Sequence, residues 1–330
     1  MPSDDWLLVE TLLSDGEPTV VAAGAHPRHW SGLGSLRRVL GPSRARIAAE
    51  AVRLCAAGGG SQRVVEADTL VVAEPVPCAF GGVHGVRLWA GAVDTPIQPP
   101  RLVAAWDWEA DTELAHHGPG LEELVFARDP EQVRVIRTPP EAFGRMARFD
   151  GRIDYFAMVA RIDDGGQWQG EVDMAGDDDE VRHFQMITRA VPSHRRISAL
   201  MHAIPELDTA QPAADPDAAM LRAVSQRSGV GVGIIELTSA LIYEWAGPPP
   251  PPLDRWLVER PAIDPGDLAA LRAACHDLAR TPGITRRLAL RVRFAQGEWV
   301  AAHAELVAVS AAASGHGLLR VWSADAGRSA

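Results

Sequence analysis

Two distant stretches of the chain carry the same local pattern, and this internal repeat restricts the fold more than any single motif does. Residues 81–92 read GGVHGVRLWAGA, and residues 314–327 read SGHGLLRVWSADAG. In each, His-Gly precedes an apolar segment holding Arg-apolar-Trp, namely Arg87-Leu88-Trp89 and Arg320-Val321-Trp322, followed by small residues. The segments upstream match as well. A helix from Ser43 through Cys55 stops at Gly58-Gly59-Gly60 and leads into strands Gln62–Val65 and Thr69–Cys78. Late in the chain, Asp264, Pro265 and Asp267 supply an N-cap, a first-turn proline and an acid in the first turn, and that helix ends by Thr281-Pro282-Gly283.

The segment that follows shows strict alternation. Leu288, Leu290, Val292 and Phe294 fall on one face, with Arg287, Arg291 and Arg293 on the other. The turn Ala295–Glu298 reverses the chain into Trp299–Val309, and Ser310–Gly317 reverses it again into Leu318–Trp322. Alternation between short Gly-containing turns predicts an antiparallel meander with one covered face. Each unit also opens on a strand pair: Trp6–Leu12 with Thr19–Ala23, and Gly233–Leu237 with Ala240–Trp245. The middle of the chain fits a looser copy. There Leu102–Trp108 and Thr112–Ala115 form the opening pair and Pro140–Phe149 a short helix, with strands over Tyr155–Ile162, Trp168–Met174 and Val181–Val191. Ile197, Leu200, Met201 and Ile204 have the spacing of an amphipathic helix, and a second helix is expected over Asp215–Arg227. The expected fold class is α+β, with three tandem five-stranded antiparallel sheets and flanking helices. The expected domains are 1–97, 98–204 and 217–330, with a linker over 205–216.

Composition narrows the function classes. The net charge of −11 opposes the phosphate neutralisation on which nucleic-acid affinity rests. The chain has no lysine, so a phosphate-loop lysine, a Schiff base and a kinase lysine are all excluded. Its three cysteines, Cys55, Cys78 and Cys275, are far apart and form no CxxC pair, so neither a zinc knuckle nor a disulfide framework is indicated. No run approaches the roughly 18 apolar residues of a membrane helix, and the start MPSDDWLLVE has no basic region. The expectation is a cytoplasmic protein with no membrane or nucleic-acid partner.

Local motifs give weak chemistry. His116 and His117, with Asp111 and Glu113 nearby, point to opposite faces of a strand and cannot both serve one ion. Cys275 and His276 diverge on a helix and make no thiolate–imidazole pair. Asp177 to Glu180 lack the spacing of a calcium loop and read as a solvated hairpin tip. SGVGVG at 228–233 leads into a strand where a nucleotide fingerprint leads into a helix. The run Pro248–Pro252 reads as a stiff loop. Ten tryptophans against two tyrosines stand out. Trp89 and Trp322 read as rings closing the covered face of a sheet, and Trp106 with Trp108 as packing between domains.

The run AIDPGDLAALRAACHDLARTPGITRRLALRVRFAQGEWVAAHAELVAV, closed by GHGLLRVWS, resembles the second half of a PAS domain. With WLLVETL at the start, VHGVRLWAG near residue 90 and LVAAWDWEADTELAHHGPG after it, the whole chain resembles an actinobacterial family of tandem PAS- and GAF-type sensor domains without an output domain. The resemblance implies a non-enzymatic signalling module that couples a small molecule or protein to a separate effector, with no cofactor. On the PAS plan, Trp245, Trp256, Trp299 and His303 would line a ligand pocket, with His303 as its polar handle. Two other readings are a protein-interaction scaffold with filled pockets, and a small-molecule enzyme using Asp107 or His303.

Overall fold

The computed structural model describes residues 5–205, 223, 225, 227–281, 283–295, 297–309 and 315–324. Its first sheet contains β1 (Leu7–Glu10), β2 (Thr19–Ala23), β3 (His26–Gly32), β4 (Gln62–Glu66), β5 (Thr69–Pro77) and β6 (Val83–Ala92). All neighbours are antiparallel, in the order β3-β2-β1-β6-β5-β4. Helices α1 (Leu36–Leu40) and α2 (Pro42–Gly58) cover one face. Gly41 turns the chain into α2, Pro42 fits its first turn without needing an N–H partner, and left-handed Gly59 closes it by donating to the Cys55 carbonyl. Ile47, Ala48, Ala51, Val52 and Cys55 make its buried face against Val71, Val86 and Leu88.

The middle sheet is built from β7 (Val103–Glu109), β8 (Leu114–His117), β9 (Ile136–Arg137), β10 (Met146–Phe149), β11 (Gly166–Ala175), β12 (Val181–Val191) and β13 (Arg196–Ala203). Its order is β10-β11-β12-β13-β7-β8-β9, and α3 (Leu121–Phe126), α4 (Pro139–Phe143) and α5 (Arg152–Ala160) lie over one face. The last sheet holds β14 (Gly231–Glu236), β15 (Leu241–Gly247), β16 (Ala262–Ile263), β17 (Thr285–Arg293), β18 (Val300–Ala308) and β19 (His316–Ser323), ordered β15-β14-β19-β18-β17-β16. Helix α6 (Pro265–Arg280) covers it, and the Asp264 carboxylate caps it by accepting from the Gly266 N–H. The chain is thus α+β with three antiparallel sheets of six, seven and six strands. In each, the first strand sits beside the last, giving five strands in one shared order. The five-stranded expectation is short by the edge strands β3, β9, β10 and β16, which are too brief or too polar to alternate.

Two assignments in the middle sheet are corrected. Tyr155–Ile162 is not a strand: its residues lie in α5 and the turn after it, where Tyr155, Phe156, Met158, Val159 and Ile162 are buried together. That set is one helix face, and it overrides the β propensity of the aromatic and branched residues. Ile197–Ile204 is not a helix but β13, whose residues 197–202 are all buried. The strand is covered on both faces, so its apolar run lost the alternation that marks a strand. Pro140–Phe149 divides into α4 and β10 around Gly144. Most of the helix expected at Asp215–Arg227 and of the 205–216 linker lies outside the described residues, of which 223, 225 and 227 are helical.

The units meet at two joints. At the first, the helix-free faces of the first two sheets stack, with Leu8, Val21, Val76 and Cys78 against Ala105, Ile187 and Leu200. Gly85 permits this approach, since a Cβ there would stand 2.9 Å from Leu200 Cδ1. Polar links cross the same joint. Gln185 donates to the Val21 carbonyl, and Arg189 pairs at 2.7 Å with buried Glu10. At the second joint, Leu241 and Tyr243 of β15 complete the middle unit's core on its helix side. The Tyr243 ring stacks on Phe156 at 3.7 Å, with Arg152–Glu244 at the margin.

Candidate functional site

The tip of the β5–β6 hairpin is a tight turn in which the Cys78 N–H donates to the Gly82 carbonyl. It sets Cys78 at the end of one strand and His84 near the start of the next. Facing them, β7 alternates. Ala104, Trp106 and Trp108 point into the middle unit's own core, while Ala105 and Asp107 point at the first unit. Trp106 and Trp108 therefore do not pack between domains, as the sequence suggested. Gly118 closes the arrangement from behind, where a Cβ would lie 2.8 Å from the Ala105 and Pro77 carbonyl oxygens.

His84 Nε2 lies 2.8 Å from Asp107 Oδ1, and the Ser198 hydroxyl donates to the same oxygen at 2.6 Å. One donor atom each from Cys78, His84 and Asp107 falls within 4.8 Å of the others, the one such grouping among the described residues. Asp107 is 1% exposed and Cys78 6%. Burial opposes ionisation of the thiol, but the hydrogen bond and charge of His84 outweigh it, so Cys78 sits below the ordinary thiol range. Burial likewise opposes the imidazolium, and hydrogen bonds to Asp107 and Cys78 overcome it, raising His84 to about 9. A cleft of about 590 Å³ opens onto the cluster, with Leu12, Phe80, His194 and Arg196 on its walls. Arg196 lies 3.7 Å over the Phe80 ring while pairing with Glu109. Such a group can present a thiolate to an electrophile or hold a metal ion through sulfur, nitrogen and oxygen.

A second cavity, about 50 Å³, lies inside the middle unit between the sheet and its helices. Trp106, Phe143, Tyr155 and Met174 line it, His117 is its polar edge, and Leu241 reaches it from the last unit. Beside it, Arg137 donates two hydrogen bonds to Glu122, whose Oε1 is also 2.6 Å from His117 Nδ1. Burial alone would raise the Glu122 carboxyl, but His117 and Arg137 hold it at about 2. Burial pushes His117 below its ordinary value despite the hydrogen bond and charge of Glu122, and the Arg137 charge adds to the drop.

The four residues placed in a pocket by the PAS plan do not share one. Trp245 and Trp256 are buried in the last unit's core, edge to face at 5.5 Å. Trp299 is 45% exposed beneath Arg293, and His303 is exposed beside Trp322 at 5.8 Å. On β18 the inward positions are Ala302, Ala304 and Leu306, so the parity of His303 turns it outward. Trp89 and Trp322 both face away from the helices. Trp89 is covered by Trp6 and Leu70, and Trp322 is half-buried. Sequence reasoning missed Cys78, His84 and Ser198 as a group with Asp107. Their signal is a polar residue inside an otherwise apolar strand, as at Asp107 between two tryptophans and Ser198 between Ile197 and Ala199.

The first unit matches a known family. Residues 5–100 fit the model described as Rv3651-like, N-terminal, which is less than a third of the chain. A crystal structure of an uncharacterized protein from Mycobacterium tuberculosis superposes with a TM-score of 0.74 at 20% identity, covering 96% of this chain and 95% of that one. This likeness shows a shared fold across all three sheets. Both findings agree with the actinobacterial resemblance. An RNA-binding light-oxygen-voltage receptor aligns with a TM-score of 0.27 at 11% identity, over 67% of this chain and 95% of that one, too weakly to carry an argument. No curated protein matches the sequence.

Proposed function

We propose that the chain is a non-enzymatic sensor and linking module of three tandem PAS/GAF-like units, which couples binding of a small molecule or protein to a separate effector. The reading is supported by three antiparallel sheets of one shared strand order, first and last strands paired at the centre, since PAS and GAF domains are likewise built on a central antiparallel sheet. The observation that carries the reading is Leu241. It belongs to the last unit yet lines the cavity of the middle one, two residues from the Tyr243 ring stacked on Phe156. Whatever fills or empties that cavity acts directly on the second joint. A ligand with different affinity for two packings of that joint shifts their populations, which is the physical content of sensing.

The cavity volume of about 50 Å³ also favours a second reading, a protein-interaction scaffold whose pockets are filled by side chains. Native mass spectrometry beside the denatured mass, with an absorption spectrum of the same sample, separates the two. A retained small-molecule mass or a chromophore band supports the sensor. A bare polypeptide that also takes up nothing from a library of small apolar compounds supports the scaffold.

A further inference from the structure

The donor set at the first joint has its own chemistry, separate from the cavity behind the second. We propose that Cys78, His84 and Asp107 form a binding site for a divalent transition-metal ion of the zinc class, bridging the first and middle units. A thiolate sulfur, an imidazole nitrogen and a carboxylate oxygen suit a four-coordinate zinc ion. Bond lengths of about 2.0 to 2.3 Å would place such donors roughly 3.3 to 3.8 Å apart. The three donor atoms already lie within 4.8 Å of one another. All three residues line the solvent cleft, which gives an ion a route in and a water a place as the remaining ligand.

A second observation points to a ligand. Asp107 is 1% exposed and its Oδ1 is engaged by His84 and Ser198, but its other oxygen, Oδ2, is buried with no hydrogen-bond partner. A buried carboxylate oxygen without a partner is costly, and a cation in the group removes that cost. The supporting shell is also built. Ser198 on β13 fixes the carboxylate, the Cys78–Gly82 turn fixes the thiol, and the Thr11 N–H donates to the His84 carbonyl at 2.9 Å, holding the strand that carries the imidazole. The thiolate selects against calcium and magnesium, which take oxygen donors. With Cys78 only 6% exposed, an ion reaches the sulfur more readily than a bulky electrophile does.

Cobalt(II) tests the site, because its visible spectrum reports both a thiolate bond and tetrahedral geometry. The full chain, stripped with a chelator, is titrated with cobalt(II) and then with zinc(II). One equivalent of cobalt should give a sulfur-to-cobalt charge-transfer band with intense d–d bands, and zinc should abolish both. Cys78→Ser should lose the charge-transfer band, and Asp107→Asn should bind at least tenfold more weakly. Cys55→Ser and Cys275→Ser should leave the spectrum unchanged, with circular dichroism confirming that every variant is folded. Absence of the band in the unmodified chain, or its persistence in Cys78→Ser, overturns the proposal. If Cys78→Ser does not fold, X-ray absorption of the zinc-loaded unmodified chain decides the matter: one sulfur about 2.3 Å from zinc supports the site, and a shell of oxygen and nitrogen alone overturns it.

Discussion

The two joints of this chain are built from opposite materials. The first stacks two helix-free sheet faces and buries charge among the aliphatic contacts: Glu10 with Arg189, and Asp107 with His84 and Ser198. The second seats Tyr243 on Phe156 and carries its ion pairs, Arg152–Glu244 and Arg260–Glu113, at partly exposed margins. An aromatic stack is held by shape and tolerates some sliding, whereas paired buried charges fix one register, because any shift leaves a charge unpaired. The expectation is that the first joint holds one register and the second repacks at lower cost.

Truncating the stack should have the largest effect. Phe156→Ala removes a fully buried ring and should cost about 3 to 5 kcal/mol in urea unfolding; a cost under 1 kcal/mol would show that the second joint is not held by this contact. Acid comes next. Glu122 is held at about 2, so it stabilises the fold fully above its ordinary value near 4.5, and that stability is lost as pH falls from there through 2. The urea midpoint should drop over this window, more shallowly in Glu122→Gln. At the first joint, Arg189→Met leaves buried Glu10 with only the Thr19 hydroxyl and the Leu12 N–H, at a cost of about 2 kcal/mol. If Arg189→Met cost nothing, the contrast between a charged and an apolar joint would fail. The smallest effect belongs to the outer face of the last unit. Arg287→Ala removes a largely exposed partner of Glu305, which keeps Arg320, and should change stability by no more than about 0.5 kcal/mol.

How far the sequence could be read follows from which faces water touches. In the last unit, β17 keeps an exposed arginine face, and its alternation marked the strand and its partners. In the middle unit, β12 and β13 lie between the helices on one side and the first sheet on the other. Water touches neither face there, so Ile197–Ile204 carries no period-2 signal and mimics a helix. The same burial hid the first joint. Cys78 and His84 share a hairpin, but Asp107 and Ser198 come from two other strands, and no local spacing links them. Resemblance to PAS domains placed Trp245, Trp256, Trp299 and His303 around one ligand pocket, but the first two pack in the last unit's core, strand parity sends His303 to solvent, and Trp299 lies exposed beneath Arg293.

The central pairing of first and last strands also bears on how the chain is made. Leu7 pairs with Leu88, Ala104 with Met201, and Gly233 with Leu319, so no sheet can close until its final strand has left the ribosome. Contacts this distant in sequence form slowly, because the long intervening loop must first be brought together. During synthesis the first unit completes early, and its helix-free face stays uncovered until β12 and β13 arrive to cover it. A pause in translation once β6 has emerged, but before β12 and β13 are made, would leave an apolar sheet face waiting for its neighbour and open to aggregation.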